Sequence, residues 1–195
     1  MFINRKLREL QLKIVYYGPS LSGKTTNLEY IHASTNPKLR GDLVSLKTRE
    51  DRTIYFDYLQ LELGMVKGLK PRFNLYTVPG QVFYAATRKL VLQGVDGIVF
   101  VADSQVSRLR DNLEAFQDMF RYLRELGYNP AQVPLALQFN KRDLPDAINV
   151  SMLKQQMQLN GAIPYFESVA TEGKGVFDTL KAIIVRVVAH VQRGI

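Results

Sequence analysis

Residues Tyr17-Gly18-Pro19-Ser20-Leu21-Ser22-Gly23-Lys24-Thr25, YGPSLSGKT, follow the apolar run LKIVYY (12–17) and lead into KTTNLEYIHAS (24–34), which reads as a helix. The stretch matches G-x-x-x-x-G-K-[ST] in the strand–loop–helix setting that this pattern requires. Its chemistry is that of the backbone. Successive N–H groups and a helix N-terminus form a nest for an anion. Gly18 and Gly23 permit conformations or close approaches that a Cβ hinders. Lys24 is placed to reach the β- and γ-phosphates of a nucleotide, and the Thr25 hydroxyl to bind Mg2+. The phosphate-binding set is therefore Gly18, Ser20, Leu21, Ser22, Gly23, Lys24, Thr25 and Thr26. A plain glycine-rich turn is the bland alternative, and the setting argues against it. Ser20 and Leu21 are nevertheless bulky for a loop whose backbone must approach an anion.

The base is addressed downstream. FNKRD (139–143) closes another apolar run, PLALQFN (134–140). Asn140-Lys141-x-Asp143 is the guanine-specificity pattern of GTP-binding proteins. Guanine presents its N1–H and 2-amino donors together, and the Asp143 carboxylate can accept both. Adenine offers no such pair and would leave that carboxylate poorly satisfied. The Lys141 stem can cover the base face while its ammonium stays solvated. At the next strand end, SVAT (168–171), a backbone N–H near Ala170 is expected to meet the guanine carbonyl, with Val169 and Thr171 beside it. Alone, NKRD could be a polar turn leading to Leu144-Pro145; its coupling to the phosphate loop argues otherwise.

Around these motifs, strands alternate with helical segments. TIYFDYLQLEL (53–63) and PRFNLYTV (71–78) read as two strands of a hairpin, with turn chemistry from Gly64 and Gly68. VFYAATRKLVLQG (82–94) reads as an irregular helix ending at Gly94, and DGIVFVAD (96–103) as a buried strand. Within 107–127, Leu109, Leu113, Phe116, Phe120, Leu123 and Leu126 form one apolar helix face, stopped by Gly127. A short helix is expected over 151–159 with Ser151 as N-cap, and a last strand over 164–170. The last helix, 175–191, turns Val176, Leu180, Ile183, Val187 and Val191 inward. The pattern predicts an α/β, three-layer P-loop NTPase fold. Its six-stranded sheet is mostly parallel, with one antiparallel edge strand from the hairpin and helices on both faces. Ligands in such sheets sit at the carboxyl ends of the strands, where both motifs lie. The segment 36–53 is long and polar for a connection, which suits a nucleotide-sensing switch.

A length of 195 residues with 46% hydrophobic content fits one compact domain, 1–195. Cysteine is absent, which excludes disulfides and thiolate metal sites. There is no leader-like stretch and no run of 18 apolar residues. Phe2 stands where myristoylation needs glycine, and no C-terminal cysteine invites prenylation. A cytoplasmic monomer without a membrane anchor is expected, so any membrane association is electrostatic or through a partner. The net charge is +8, from 26 basic and 18 acidic residues, and the basic ones are scattered, for example at Arg5, Lys6 and Arg8, at Lys67, Lys70 and Arg72, and at Arg88 and Lys89. Such scatter ordinarily means solvated surface. Its functional reading is a face for an acidic protein, anionic lipid or nucleic acid, and no nucleic-acid module supports the last. His32 and His190 are lone histidines without a metal-ligand pair, and Tyr16 and Tyr17 read as strand-end packing.

Together KIVYYGPSLSGKTTNL, DRTIYFDYL, RFNLYTVPGQVFY, RKLVLQGVDGIVFVADS, NKRDLPDA and VATEGKGVFDTLK resemble the bacterial MglA polarity GTPases, a group of Ras-like small GTPases. The likeness covers essentially the whole chain. It implies a cytoplasmic GTP/GDP switch, recruited to cell poles by partners, that organises polarity or gliding and twitching motility. It also implies activation by a roadblock-fold MglB homodimer, together with an exchange factor and motility or cytoskeletal effectors. Carried over residue by residue, VPGQ makes Gly80 the sensor of the γ-phosphate and Gln81 the residue that orients the attacking water. DRT makes Thr53 the switch residue that closes over Mg2+ and the γ-phosphate, and Arg52 an arginine finger in the chain itself. The resemblance further implies that GTP reorganises 36–53 and 78–88 and that 54–70 slides.

Two departures bear on catalysis. Thr77 stands where most Ras-like proteins have an Asp that supports Mg2+ through water, which predicts a weaker hold on the ion. Asp51 and Asp103 are the acids that could compensate in principle. Ser20 stands where the resemblance calls for glycine, close to where Gln81 and Arg52 must converge, and a small misplacement there slows hydrolysis. Three readings follow. The leading one is in-line attack by water on GTP, with Gln81 positioning the water and Mg2+, Lys24 and Arg52 assisting. The second is a scaffold that signals by nucleotide occupancy with negligible hydrolysis. The third, a P-loop kinase or ATPase, conflicts with NKRD.

Overall fold

The alternation of apolar runs and amphipathic segments becomes eight strands and five α-helices in the computed structural model, which describes residues 2–4, 6–47, 53–80, 84–159, 161 and 163–194. In chain order these are β1 (Phe2–Asn4), β2 (Glu9–Tyr17), α1 (Lys24–Ser34), β3 (Val44–Lys47), β4 (Thr53–Glu62), β5 (Lys70–Thr77) and α2 (Ala85–Leu92). There follow β6 (Gly97–Asp103), α3 (Leu109–Glu125), β7 (Leu135–Asn140), α4 (Val150–Gln156), β8 (Tyr165–Glu167) and α5 (Val176–Gly194).

All strands join one sheet in the order β3-β4-β5-β2-β6-β7-β8, with β1 paired to β2. Strands β5, β2, β6, β7 and β8 run parallel. The hairpin is as expected: β4 lies antiparallel to β5, with Tyr58 opposite Tyr76 and Glu62 opposite Arg72. The sheet is larger than the six strands read from sequence, because two short strands join it. β3 lies in the long 36–53 connection and pairs antiparallel with β4, so β3, not the hairpin, forms that edge. β1 extends the ladder beside residues 9–11 of β2, where β6 does not reach. Neither short strand is long enough to show alternation.

Two cores flank the sheet. Leu10, Leu12, Ile14 and Tyr16 face Leu28 and Ile31 of α1 and the inward side of α5. Val15, Tyr17, Phe100 and Leu137 face α3 through Phe116 and Leu123. β6, near the centre, is buried at every position, as a continuous apolar run covered on both sides should be. Helix α1 spans the residues expected of it, and all five inward residues of α5 are buried. In α3 the buried line instead runs through Asn112, Phe116, Met119 and Leu123, leaving Leu109, Leu113, Phe120 and Leu126 half-buried beside it. For α4 the N-cap is Asn149, whose Oδ1 accepts the Ser151 N–H at 2.9 Å; Ser151 lies within the helix. The carboxamide oxygen two residues earlier satisfies an orphan donor of the first turn.

The topology gathers the carboxyl ends of β2, β6 and β7 at one edge. Those ends carry Tyr17, Asp103 and Asn140.

Candidate nucleotide site

The loop that leaves β2 changes hand repeatedly, with φ of 146° at Gly18, 61° at Leu21 and 97° at Gly23. Leu21 holds a left-handed conformation that few branched residues adopt, and its side chain is 55% exposed. Its bulk therefore leaves the loop interior. Ser22 is fully buried within the curl, and its Oγ has no hydrogen-bond partner among the described residues. A buried orphan hydroxyl beside an ammonium, in a backbone of alternating hand, suits an anion.

Lys24 opens α1 and folds back over this loop. Its Nζ donates to the carbonyls of Gly18 at 3.1 Å and Pro19 at 2.6 Å, and the residue is 6% exposed. Burial pushes its pKa down to about 7; Asp57 opposes the shift, while Arg88 and Arg108 add to it. The sign has a consequence. The folded value lies below the ordinary 10.5, so the unfolded chain holds more protons between about 7 and 10.5, and stability rises with pH across that window. A bound polyphosphate restores the charge. Nucleotide binding near pH 8 is thus expected to take up close to one proton per site, read by calorimetry in buffers of different ionisation enthalpy. A heat independent of the buffer would refute this role for burial.

Asn140, at the end of β7, joins the two motifs. Its Nδ2 donates to the Ser22 carbonyl at 2.8 Å, and its Oδ1 accepts from Ser168 Oγ at 3.0 Å and the Ala170 N–H at 2.9 Å. The Ala170 N–H expected to face a base carbonyl is thus given to Asn140. Gly23 is placed by the same contact, since a Cβ there would lie 2.2 Å from Asn140 Nδ2. Val169 is buried beside it, and Thr171 is exposed in the 3-10 turn Ala170–Glu172. Asp143 is exposed in the turn after β7. The Lys141 ammonium, expected to stay in solvent, is ion-paired on a half-buried side chain. It donates to Asp103 Oδ2 at 2.5 Å, and its backbone is left-handed at φ 64°.

One rung below, Asn27 of α1 and Gln138 of β7 exchange amide hydrogen bonds of 2.8 and 2.9 Å. Asn27 also donates to the Gly23 carbonyl, and Gln138 to Thr179 of α5. Every amide hydrogen in this buried pair has an acceptor.

Asp57 was not singled out from sequence. It is fully buried on β4, accepting from Thr25 Oγ1 at 2.5 Å, from Thr77 Oγ1 at 2.7 Å and from Ser45 Oγ. Its own N–H donates to Thr77 Oγ1 at 2.8 Å. A carboxylate therefore stands beside the Thr25 hydroxyl after all, supplied by the strand next to Thr77. Of the two acids named for that purpose, only Asp103 lies within the described residues, and it is engaged elsewhere, by Lys141 and, at 3.8 Å, by Arg108; Asp51 lies outside them. The missed signal was alternation. Asp57, Leu59 and Leu61 share the inward face of β4, and a charge in that series requires partners.

Arg108 was missed too. From the 3-10 turn before α3 its Nη2 donates to the Ser20 carbonyl at 2.7 Å, while its Nη1 pairs with Asp111. Gly80 lies against the same loop residue, where a Cβ would come within 2.3 Å of Ser20 N. Only glycine fits so close to backbone. Thr26 is half-buried in the first turn of α1, and Thr53 is the first residue of β4. Arg52 and Gln81 lie outside the described residues.

Residues 1–187 match the model of the ADP-ribosylation factor family. The chain is also 51% identical over 193 residues to the mutual gliding-motility protein MglA of Myxococcus xanthus, covering 99% of this chain and 98% of that one. The chain belongs to the MglA-type small GTPases. More distant likenesses are a Ypt/Rab-type GTPase, ypt7, of Pyricularia oryzae, 26% identical over 90% of this chain and 82% of that one, and the Ras-related protein Rab7 of Cenchrus ciliaris, 25% identical over 91% and 82%. As an MglA-type GTPase the chain is a GTP hydrolase and a guanine-nucleotide switch. No helix among its described residues is long and apolar enough to cross a membrane.

Proposed function

We propose that this chain is a Mg2+-dependent GTP switch controlling cell polarity or gliding and twitching motility. It hydrolyses GTP slowly alone and faster with a roadblock-fold homodimer of the MglB type. It works in the cytoplasm as a monomer, with recruitment to cell poles, nucleotide exchange and motility or cytoskeletal effectors supplied by partners. The observation that carries the nucleotide half of this reading is Asn140, which binds the phosphate loop and the SVAT turn at once.

Residue roles follow from the two nucleotide motifs and, for Arg52, Thr53, Gly80 and Gln81, from the family resemblance. Asp143 accepts the two guanine donors, and Lys141 covers the base. Lys24 and the loop N–H groups hold the β- and γ-phosphates, with Gly80 sensing the last of them. Thr25 and Thr53 supply hydroxyl ligands for Mg2+, and Asp57 stands in for the carboxylate absent at position 77, orienting the Thr25 hydroxyl. When bound, the ion neutralises charge on the transferred phosphoryl group. Gln81 orients the water and Arg52 stabilises the developing charge. Single-turnover GTP hydrolysis with and without an MglB-type partner tests the reading. Normal GTP binding with no partner-stimulated phosphate release would sink it.

That outcome would favour the second reading, an occupancy scaffold. One observation supports it: Gly80 rests directly on the Ser20 backbone, and Arg108 holds that residue's carbonyl. If the Ser20 side chain slows catalysis, Ser20→Gly is expected to raise the intrinsic single-turnover rate by about tenfold. An unchanged rate would place the cause elsewhere.

A further inference from the structure

Opposite the nucleotide, the sheet ends in basic turns. Strands β2 and β5 are parallel and begin there, and β4, antiparallel to β5, ends there. The Lys70 N–H donates to the Arg8 carbonyl at 2.8 Å, which joins the turn before β2 to the start of β5. Lys67 donates to the Gln192 carbonyl at 3.1 Å, which brings the end of α5 alongside. Lys6, Arg8, Lys67 and Lys70 are all exposed on this end, and among the described residues none of them forms an ion pair. The nearest acids, Glu9 and Glu62, are both held by Arg72 at 2.8 and 3.1 Å.

Three large apolar side chains stand among these cations: Phe2 at 65%, Leu7 at 58% and Met65 at 61% exposure. Leu7 and Met65 project from short turns, where polar residues ordinarily stand, and Phe2 from the first position of β1, opposite Gln11. Arg8 and Lys67 also hold left-handed backbone, with φ of 53° and 46°, which glycine or asparagine would adopt more readily. The turns thus carry cations at positions where uncharged residues fit the backbone better.

We propose that this end of the sheet docks on an anionic lipid bilayer. The cations meet the headgroup charge, and the three apolar tips enter the headgroup–acyl boundary. A nucleic acid would meet the cations but gives no account of the apolar tips, and three separate tips suit a fluid headgroup layer better than the contiguous apolar centre of a protein interface. Docking here leaves the nucleotide edge facing away from the membrane, open to partners.

The test is co-sedimentation of the GTP- and GDP-loaded full chain with phosphatidylcholine vesicles, with and without phosphatidylglycerol. Binding is expected only to the anionic vesicles and is expected to fall as salt rises. Lys6→Glu with Lys70→Glu should weaken partition by at least about 25-fold, taking about fivefold for each cation near an anionic surface. Leu7→Ser with Met65→Ser should weaken it as well while keeping the salt dependence. Retained nucleotide binding in both variants shows that they are folded. Absence of wild-type binding, equal binding to neutral vesicles, or unchanged binding of the charge-reversed variant overturns the proposal. So does retention on an RNA homopolymer without retention on vesicles.

Discussion

Asp143→Asn is expected to weaken GTP and GDP binding by about 10^3-fold or more and to create a preference for xanthosine nucleotides. The reason lies in the donor count. Guanine directs two N–H donors at this position, and a carboxylate accepts both. An asparagine side chain offers one acceptor and one donor, so its NH2 opposes a guanine donor and a buried group goes unpaired. Xanthine carries an oxygen where guanine has its amino group. The amide can then accept from N1–H and donate to that oxygen. The turn that presents Asp143 is anchored by Asn140 and by the Lys141–Asp103 pair, neither of which the substitution touches. Competition between fluorescent GDP and xanthosine diphosphate reads the switch. Weakened binding of both nucleotides to the same degree would argue that Asp143 shapes the turn and does not read the base.

Asp57→Asn should separate the metal from the nucleotide. The carboxylate sits within hydrogen-bond reach of Thr25 and Thr77 and also receives Ser45. Outer partners of a metal ligand typically tune affinity by 10- to 100-fold, and about 100-fold is expected here because no carboxylate stands at position 77. The Mg2+ concentration that half-saturates GTP hydrolysis should rise accordingly. Thermal stability without nucleotide should fall as well, since the amide nitrogen opposes hydroxyl donors that the carboxylate accepts, so retained nucleotide binding is the check that the variant is folded. An unchanged Mg2+ dependence would show that Asp57 is only a structural partner of the three hydroxyls.

The sequence was most readable where chemistry repeats locally. The phosphate loop, α1 and the inward residues of α5 follow from spacing alone. Asn140 was found by motif, but its dual hold on Ser22 and Ala170 depends on strands that meet only in the folded sheet. Asp57 is not legible in the sequence of β4 alone, because the polar partner that makes a buried acid tolerable lies twenty residues away on β5. Arg108 belongs to no motif and reaches the loop across 88 residues of chain. β1 and β3 escaped because three or four residues cannot show a period, and their pairing is decided by the open edges they find.

The Asn27–Gln138 amide pair has a consequence for how a ligand is held. It bolts the first turn of α1, which carries the phosphate-binding residues, to the strand that carries the base-reading ones. A nucleotide is then a bivalent ligand on a rigid mount. Once one half is seated, the other meets its site at a high effective concentration. A free nucleoside or free pyrophosphate, making the same individual contacts, gains none of that advantage. Selectivity for the intact nucleotide thus resides partly in two residues that need touch neither base nor phosphate.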